Sequence, residues 1–244
     1  MDYFSLVFTC LCLTGQGILH IAFVSRLTGK GMNIRCFVLY LLLIDSLEWF
    51  GFRFAIPGIF AIPAQLLVLY GMNRFVLRNR GEVSRVAAVL AIYISQLSFG
   101  VANSVEAVVF PYVVGKPLLY LLILLAMLAS FILCICCYMA ALRFLSLAEG
   151  THTPYLDGLL FPGLFFFAAE LYILHTSYSS LSLSHSLPEA GKHSALLFLQ
   201  ILGLAALLGT LYVYRCLCHS LQAQAALQSA AQAARVQKIY IAEA

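Results

Sequence analysis

Two carboxylates stand three residues apart inside an apolar run, Asp45 and Glu48, with Trp49 beside them and Arg53 a turn further on. Ionisable groups in such a setting are costly, and they are functional candidates by default. Residues three or four apart share a helix face, so the acids, the indole and the guanidinium gather towards one end of one helix. There they can meet a polar ligand, or Arg53 can simply neutralise Glu48 in a structural ion pair. Elsewhere Gln96 and Asn103 lie seven apart, hence on one face, and Glu106 extends that stripe. Gln16 and His20 are four apart on another run, Gln65 lies in a further one, and Glu170 and His175 fall in a later one. Taken singly, such groups bond neighbouring membrane helices to each other. Taken together, Asp45, Glu48, Trp49, Arg53, Gln96, Asn103, Glu106, Glu170 and His175 are the ligand-binding candidates of a polar pocket among the second, fourth and sixth helices.

The eight cysteines lie in or beside apolar runs, so they read as small apolar packing residues and not as a disulfide framework. Cys216, Cys218 and His219 offer two thiols and an imidazole to a soft metal, but their spacing is not the CxxC of most such sites. No metal or other cofactor is therefore expected. The chain contains no HExxH, GxGD or GxSxG motif and no glycine loop that would cradle a phosphate. No catalytic residue is assigned, and these residues by themselves do not make an enzyme.

The elements that must position these groups follow from composition. Of 244 residues, 63% are hydrophobic and 10% charged, against about 25% charged in a typical soluble domain. A soluble fold of this length has too little interior to hide so much apolar surface, so lipid is the solvent for much of it. The expected class is an all-α polytopic membrane protein, since lipid cannot satisfy bare backbone groups and helices satisfy their own. A spanning helix needs roughly 20 apolar residues. Seven runs qualify or nearly so: 3–24, 36–52, 54–72, 86–103, 118–141, 158–178 and 194–214.

Cations then orient the helices. Eleven of the fourteen Lys and Arg fall in alternate connections: Arg26, Lys30 and Arg35; Arg74, Arg78, Arg80 and Arg85; Arg143; and Arg215, Arg235 and Lys238. Cationic loops stay in the cytoplasm, so the pattern predicts an outside N-terminus and a cytoplasmic C-terminus in a multi-pass plasma-membrane protein. No Lys or Arg precedes the first apolar run, which is read as a retained helix and not as a cleaved signal. The net charge of +4 is too small to argue for nucleic acid, which is not an expected partner.

Past the seventh run, His219 to Ala244 holds nine Ala and five Gln and no Pro or Gly. These are good helix formers, so the seventh helix is expected to leave the membrane and continue. The chain thus divides into a seven-helix sensor domain, 1–215, and a connecting signalling helix, 216–244. Leu227, Ala230 or Ala231, Ala234 and Ile241 make a loose heptad on it, and no helix-ending residue closes it, as in a rod cut short.

Two stretches, "AELYILHTSYSS" (168–179) and "AQAARVQKIYIAEA" (231–244), resemble the membrane sensor of bacterial GHKL-type sensor histidine kinases, similar to peptide-pheromone receptors. The resemblance implies a multi-span sensor, paired as a homodimer in the lipid bilayer, that detects an extracellular ligand such as a peptide and signals through its last helix. It also implies a phosphoacceptor His and an ATP-binding domain, which these residues lack. The alternatives are a transporter or permease subunit and a membrane scaffold protein.

Overall fold

The structure, a computed structural model, describes residues 3–54, 60–109, 116–147, 155–166, 168–169 and 189–243. Among them are seven helices: α1 (Tyr3–Thr28), α2 (Ile34–Arg53), α3 (Ala61–Gly71), α4 (Gly81–Val109), α5 (Lys116–Phe144), α6 (Leu156–Phe166) and α7 (Glu189–Glu243). A π-helical turn, Met72–Val76, extends α3, and a 3-10 turn, Leu156–Leu159, opens α6.

The helix α4 is the central pillar. It packs against α1, α3, α5, α6 and α7. Its sequence explains why. Ser84, Ala87, Ala88, Ala91, Ser95, Ser98 and Ala102 recur at helical spacing, and all are buried. Small side chains let neighbouring backbones approach, which is how apolar helices pack where lipid offers no hydrophobic contrast. Around this stripe the core is filled by Phe23, Val24 and Leu27 of α1, Tyr40 and Ile44 of α2, Leu69 of α3, and Leu207 and Leu211 of α7. Tyr138 of α5 stacks on Phe23 with ring centroids 4.3 Å apart and donates its hydroxyl to the Ala91 carbonyl at 2.6 Å. A buried phenol needs such an acceptor, and the bond ties α5 to α4.

Four helices are long and apolar enough to cross a membrane among the described residues: Cys10–Thr28, Gly81–Val109, Leu121–Phe144 and His193–Gln237. Of the other three expected spans, α2 has 20 residues but carries Arg35, Asp45, Glu48 and Arg53. α3 has 11 residues, and α6 covers 156–166; residues 55–59, 167 and 170–178 of those two runs lie outside the described residues.

One end of the bundle collects the cations. The Leu147 amide donates to the Leu27 carbonyl at 2.7 Å, and Lys30 Nζ donates to the Arg78 carbonyl at 3.4 Å. Arg85 pairs with Asp157 at 3.1 Å, and Arg215 donates to the Arg143 carbonyl at 2.6 Å. The connections after α1, α3 and α5 therefore meet at one end, where Arg215 of α7 also lies. Two asparagines hold the connection after α3. Buried Asn79 donates to Asn73 Oδ1 at 2.5 Å, Asn73 donates to the Ser84 carbonyl at 3.4 Å, and Arg74 donates to the Asn79 carbonyl at 2.7 Å. Arg78 takes a left-handed conformation (φ 52°) within this knot.

Past Leu221, α7 leaves the bundle: every residue from 222 to 237 is exposed, and the helix continues without a break.

Candidate functional site

Apart from the asparagine knot, three groupings of polar side chains stand out among the described residues. The first lies in the seam between α1 and α2. The two helices are antiparallel, so Thr14 meets Asp45 and His20 meets Tyr40. Thr14 donates to Asp45 Oδ2 at 3.0 Å. The His20 Nδ1 and the Tyr40 hydroxyl are 3.2 Å apart, both side chains fully buried. Gly17 lies between the two contacts, and a Cβ there would meet Leu41 at 2.7 Å, so bare backbone allows the close approach. Asp45 Oδ1, Gln16 Oε1 and His20 Nε2 are buried without a partner, as is Gln65 Oε1 on α3. An unsatisfied buried polar atom costs about 1–3 kcal/mol, so such atoms need a reason.

The second is an apolar groove whose lining includes two residues with polar atoms, Tyr93 and Gln96. Ile62, Pro63 and Leu66 of α3, Val89, Ile92, Tyr93 and Gln96 of α4, and Gly163 and Leu164 of α6 enclose about 160 Å³. Pockets for drug-sized ligands run to about 300–1,000 Å³. This groove is smaller than that and lined almost wholly by apolar side chains.

The third set joins α4 to α7. Buried Gln200 accepts a hydrogen bond from Ser104 at 2.9 Å and lies against Gly100, where a Cβ would meet its amide nitrogen at 2.5 Å. A turn further along, Gly203 faces Leu97 and the Tyr93 hydroxyl at 3.0 Å from a built Cβ. The same two helices thus meet through a polar clasp and a glycine notch.

The residues expected to share one pocket separate. Asp45 and half-buried Glu48 belong to the α1–α2 seam. Gln96 lines the groove of α3, α4 and α6, while Asn103 is exposed. The helix α2 packs on α1 and α3, and α4 in turn packs on α1 and α3, and the two stripes meet different neighbours among the described residues. Trp49 is 49% exposed, its ring edge-on to Phe50 at 5.3 Å. Arg53 is exposed, and no Arg53–Glu48 ion pair forms among the described residues. The side chain of Glu106, and Glu170 and His175, lie outside what is described. Cys216 and His219 are exposed and Cys218 half-buried, and no three His, Cys, Asp or Glu among the described residues gather as metal ligands.

Thr14, Tyr40, Ser104 and Gln200 are the contributors that the sequence reading passed over. Gln200 carries a signal: it is an amide in the middle of the apolar run "LLFLQILGL".

No protein-family model matches this chain, and neither a curated protein nor a solved structure matches it.

Proposed function

We propose that the chain is the membrane-embedded sensor of a signalling protein, in which a stimulus received within the bundle is relayed along α7. One observation carries this reading. α7 is a single helix of 55 residues, and part of it packs on α4 and α5 while residues 222–237 stand clear of the bundle. At 1.5 Å per residue those clear residues reach roughly 24 Å. A helix packed at one end and free at the other transmits rotation or translation, and the Gln200–Ser104 clasp is where the bundle grips it.

The phase of α7 supports a homodimer. Leu204, Leu207, Leu211 and Tyr214 face the bundle. At 100° per residue, Phe198, Ala205, Gly209, Cys216, Leu227 and Ala234 point about 180° away from them. All six are exposed. The apolar seam of the free segment therefore continues the outward face of the packed segment. A partner on that seam would run beside α7 along its length, as a second copy of α7 does.

In this reading the cationic end faces the cytoplasm, because cationic loops are retained there. The ligand is extracellular or membrane-borne, and it acts by its difference in affinity for two packings of the bundle. The kinase class rests on the resemblance, and sequencing beyond codon 244 tests it: an open frame encoding a phosphoacceptor His and ATP-binding boxes would support it.

The test is disulfide cross-linking between single Cys substitutions along 222–237 in native membranes, with and without an extract that elicits a response. A helical pattern of cross-links that changes with the extract supports the relay. An unchanged pattern with an active extract contradicts it.

A second reading, a permease subunit, is favoured by the unpartnered Asp45, Gln16 and His20 atoms in the α1–α2 seam. It requires solute flux in proteoliposomes that is lost in Asp45→Leu.

A further inference from the structure

The outer surface between α1 and α5 has a shape and a charge that the relay does not use. The two helices run parallel, their last turns joined by the Leu147–Leu27 hydrogen bond at the cationic end. Between them lies a shallow groove of about 90 Å³. Its floor is the stacked pair Phe23 and Tyr138. Its walls are Leu19 and Ala22 on one side, and Ile135 and Met139 on the other. The seven residue steps from Leu19 to Arg26 give it a length of roughly 10 Å along the helix axis. At its cationic end stands Arg26. Arg143 ends α5 at the same level, and both guanidinium-bearing side chains are exposed without an acidic partner among the described residues.

We propose that this groove seats the headgroup-proximal segment of one acyl chain of a phospholipid with an anionic headgroup, whose phosphate is held by Arg26 with Arg143 beside it. The orientation fits. The groove runs along the helices, hence along the bilayer normal, with its cations where helices Cys10–Thr28 and Leu121–Phe144 end. Basic sites between membrane helices at that depth take anionic headgroups. Charge complementarity selects the headgroup, and the apolar floor selects a chain. The site depends on the cationic end lying at a headgroup layer, and not on α7 relaying any signal.

The experiment uses the full chain purified in detergent. It is offered equal amounts of phosphatidylglycerol and phosphatidylcholine with identical chains, and retained lipid is counted by native mass spectrometry. The parent is expected to retain one phosphatidylglycerol with a preference of about fivefold, the effect of one interfacial cation. Arg26→Gln brings the two lipids near parity. Ala22→Phe fills the groove and lowers retention of both lipids, and Met139→Trp does the same from the opposite wall should Ala22→Phe lose helicity. Arg80→Gln, a cation away from the groove, changes nothing. Equal retention of the two lipids by the parent overturns the proposal. So does unchanged preference in Arg26→Gln, or unchanged retention in both groove-filling variants, which would mean that exposed arginines attract anionic lipid without a site.

Discussion

Gln200 of α7 accepts a hydrogen bond from Ser104 of α4 at 2.9 Å, with its amide laid over Gly100. Interhelical bonds of this kind in membranes are worth about 0.6 kcal/mol on average. Gln200→Leu and Ser104→Ala are each expected to cost about that much. A double-mutant cycle on thermal unfolding in detergent should return a coupling of similar size, because the two residues contact each other. A coupling indistinguishable from zero would remove the clasp from the account of how α7 is gripped.

Two glycines of α1 should respond differently to alanine. A Cβ on Gly15 would meet the Phe131 ring at 2.6 Å, and that ring stands edge-on to Phe99 at 5.0 Å, so it has little room to turn. A Cβ on Gly17 meets a terminal methyl of Leu41, a flexible chain end. Gly15→Ala is expected to destabilise by about 1–3 kcal/mol, the usual cost of overpacking, and Gly17→Ala by less. Adding Phe131→Leu should recover much of the Gly15→Ala loss. Equal losses at the two glycines would contradict the packing described.

What the sequence made legible, and what it did not, divides along a physical line. Apolar composition points to an all-α fold with helices that could span a membrane, because that inference depends on solvent and not on which helices touch. The gathering of Arg26, Lys30, Arg74, Arg78, Arg85 and Arg143 at one end follows from helices alternating in direction. The polar groups were visible as exceptions in apolar runs, as Asp45 and Gln96 were. Their partners were not, since spacing along one helix says nothing of which helix lies opposite. Asp45 meets Thr14 on α1, and Gln96 faces α3 and α6, so the two stripes meet different neighbours. Gln200 has no second polar group three or four residues away in its run to mark a polar face, so only its contact with Ser104 on α4 reveals its role.

The α1–α2 seam makes an asymmetric prediction. Thr14→Val leaves both Asp45 oxygens buried without a donor, a cost of about 1–3 kcal/mol. Asp45→Leu removes the orphaned oxygen Oδ1 altogether and should be neutral within about 1 kcal/mol, as replacing polar partners by apolar groups often is. Thermal unfolding in detergent compares them. A larger loss in Asp45→Leu than in Thr14→Val would give Asp45 a structural partner beyond Thr14.

The asparagine knot at the cationic end protects its own arginines. Asn79→Ala removes the donor to Asn73. Local opening should become easier by about 1–3 kcal/mol. Tryptic cleavage after Arg78 and Arg80 in folded protein is then expected to speed up by about tenfold or more, a factor equivalent to about 1.4 kcal/mol. Cleavage at the parental rate would show that the knot does not restrain the loop.

The most direct measurement of the relay is the sidedness and accessibility of α7 in intact cells. Single cysteines placed one at a time from 198 to 237, in a chain lacking the native cysteines, are treated with a membrane-impermeant thiol reagent before and after permeabilisation. The account predicts that positions 222–237 react only after permeabilisation, together with a cysteine at position 80 in the cationic loop, while positions in the bundle-facing stripe stay protected. Reaction of 222–237 in intact cells, or on the side opposite to position 80, would contradict a helix that carries an external stimulus inward.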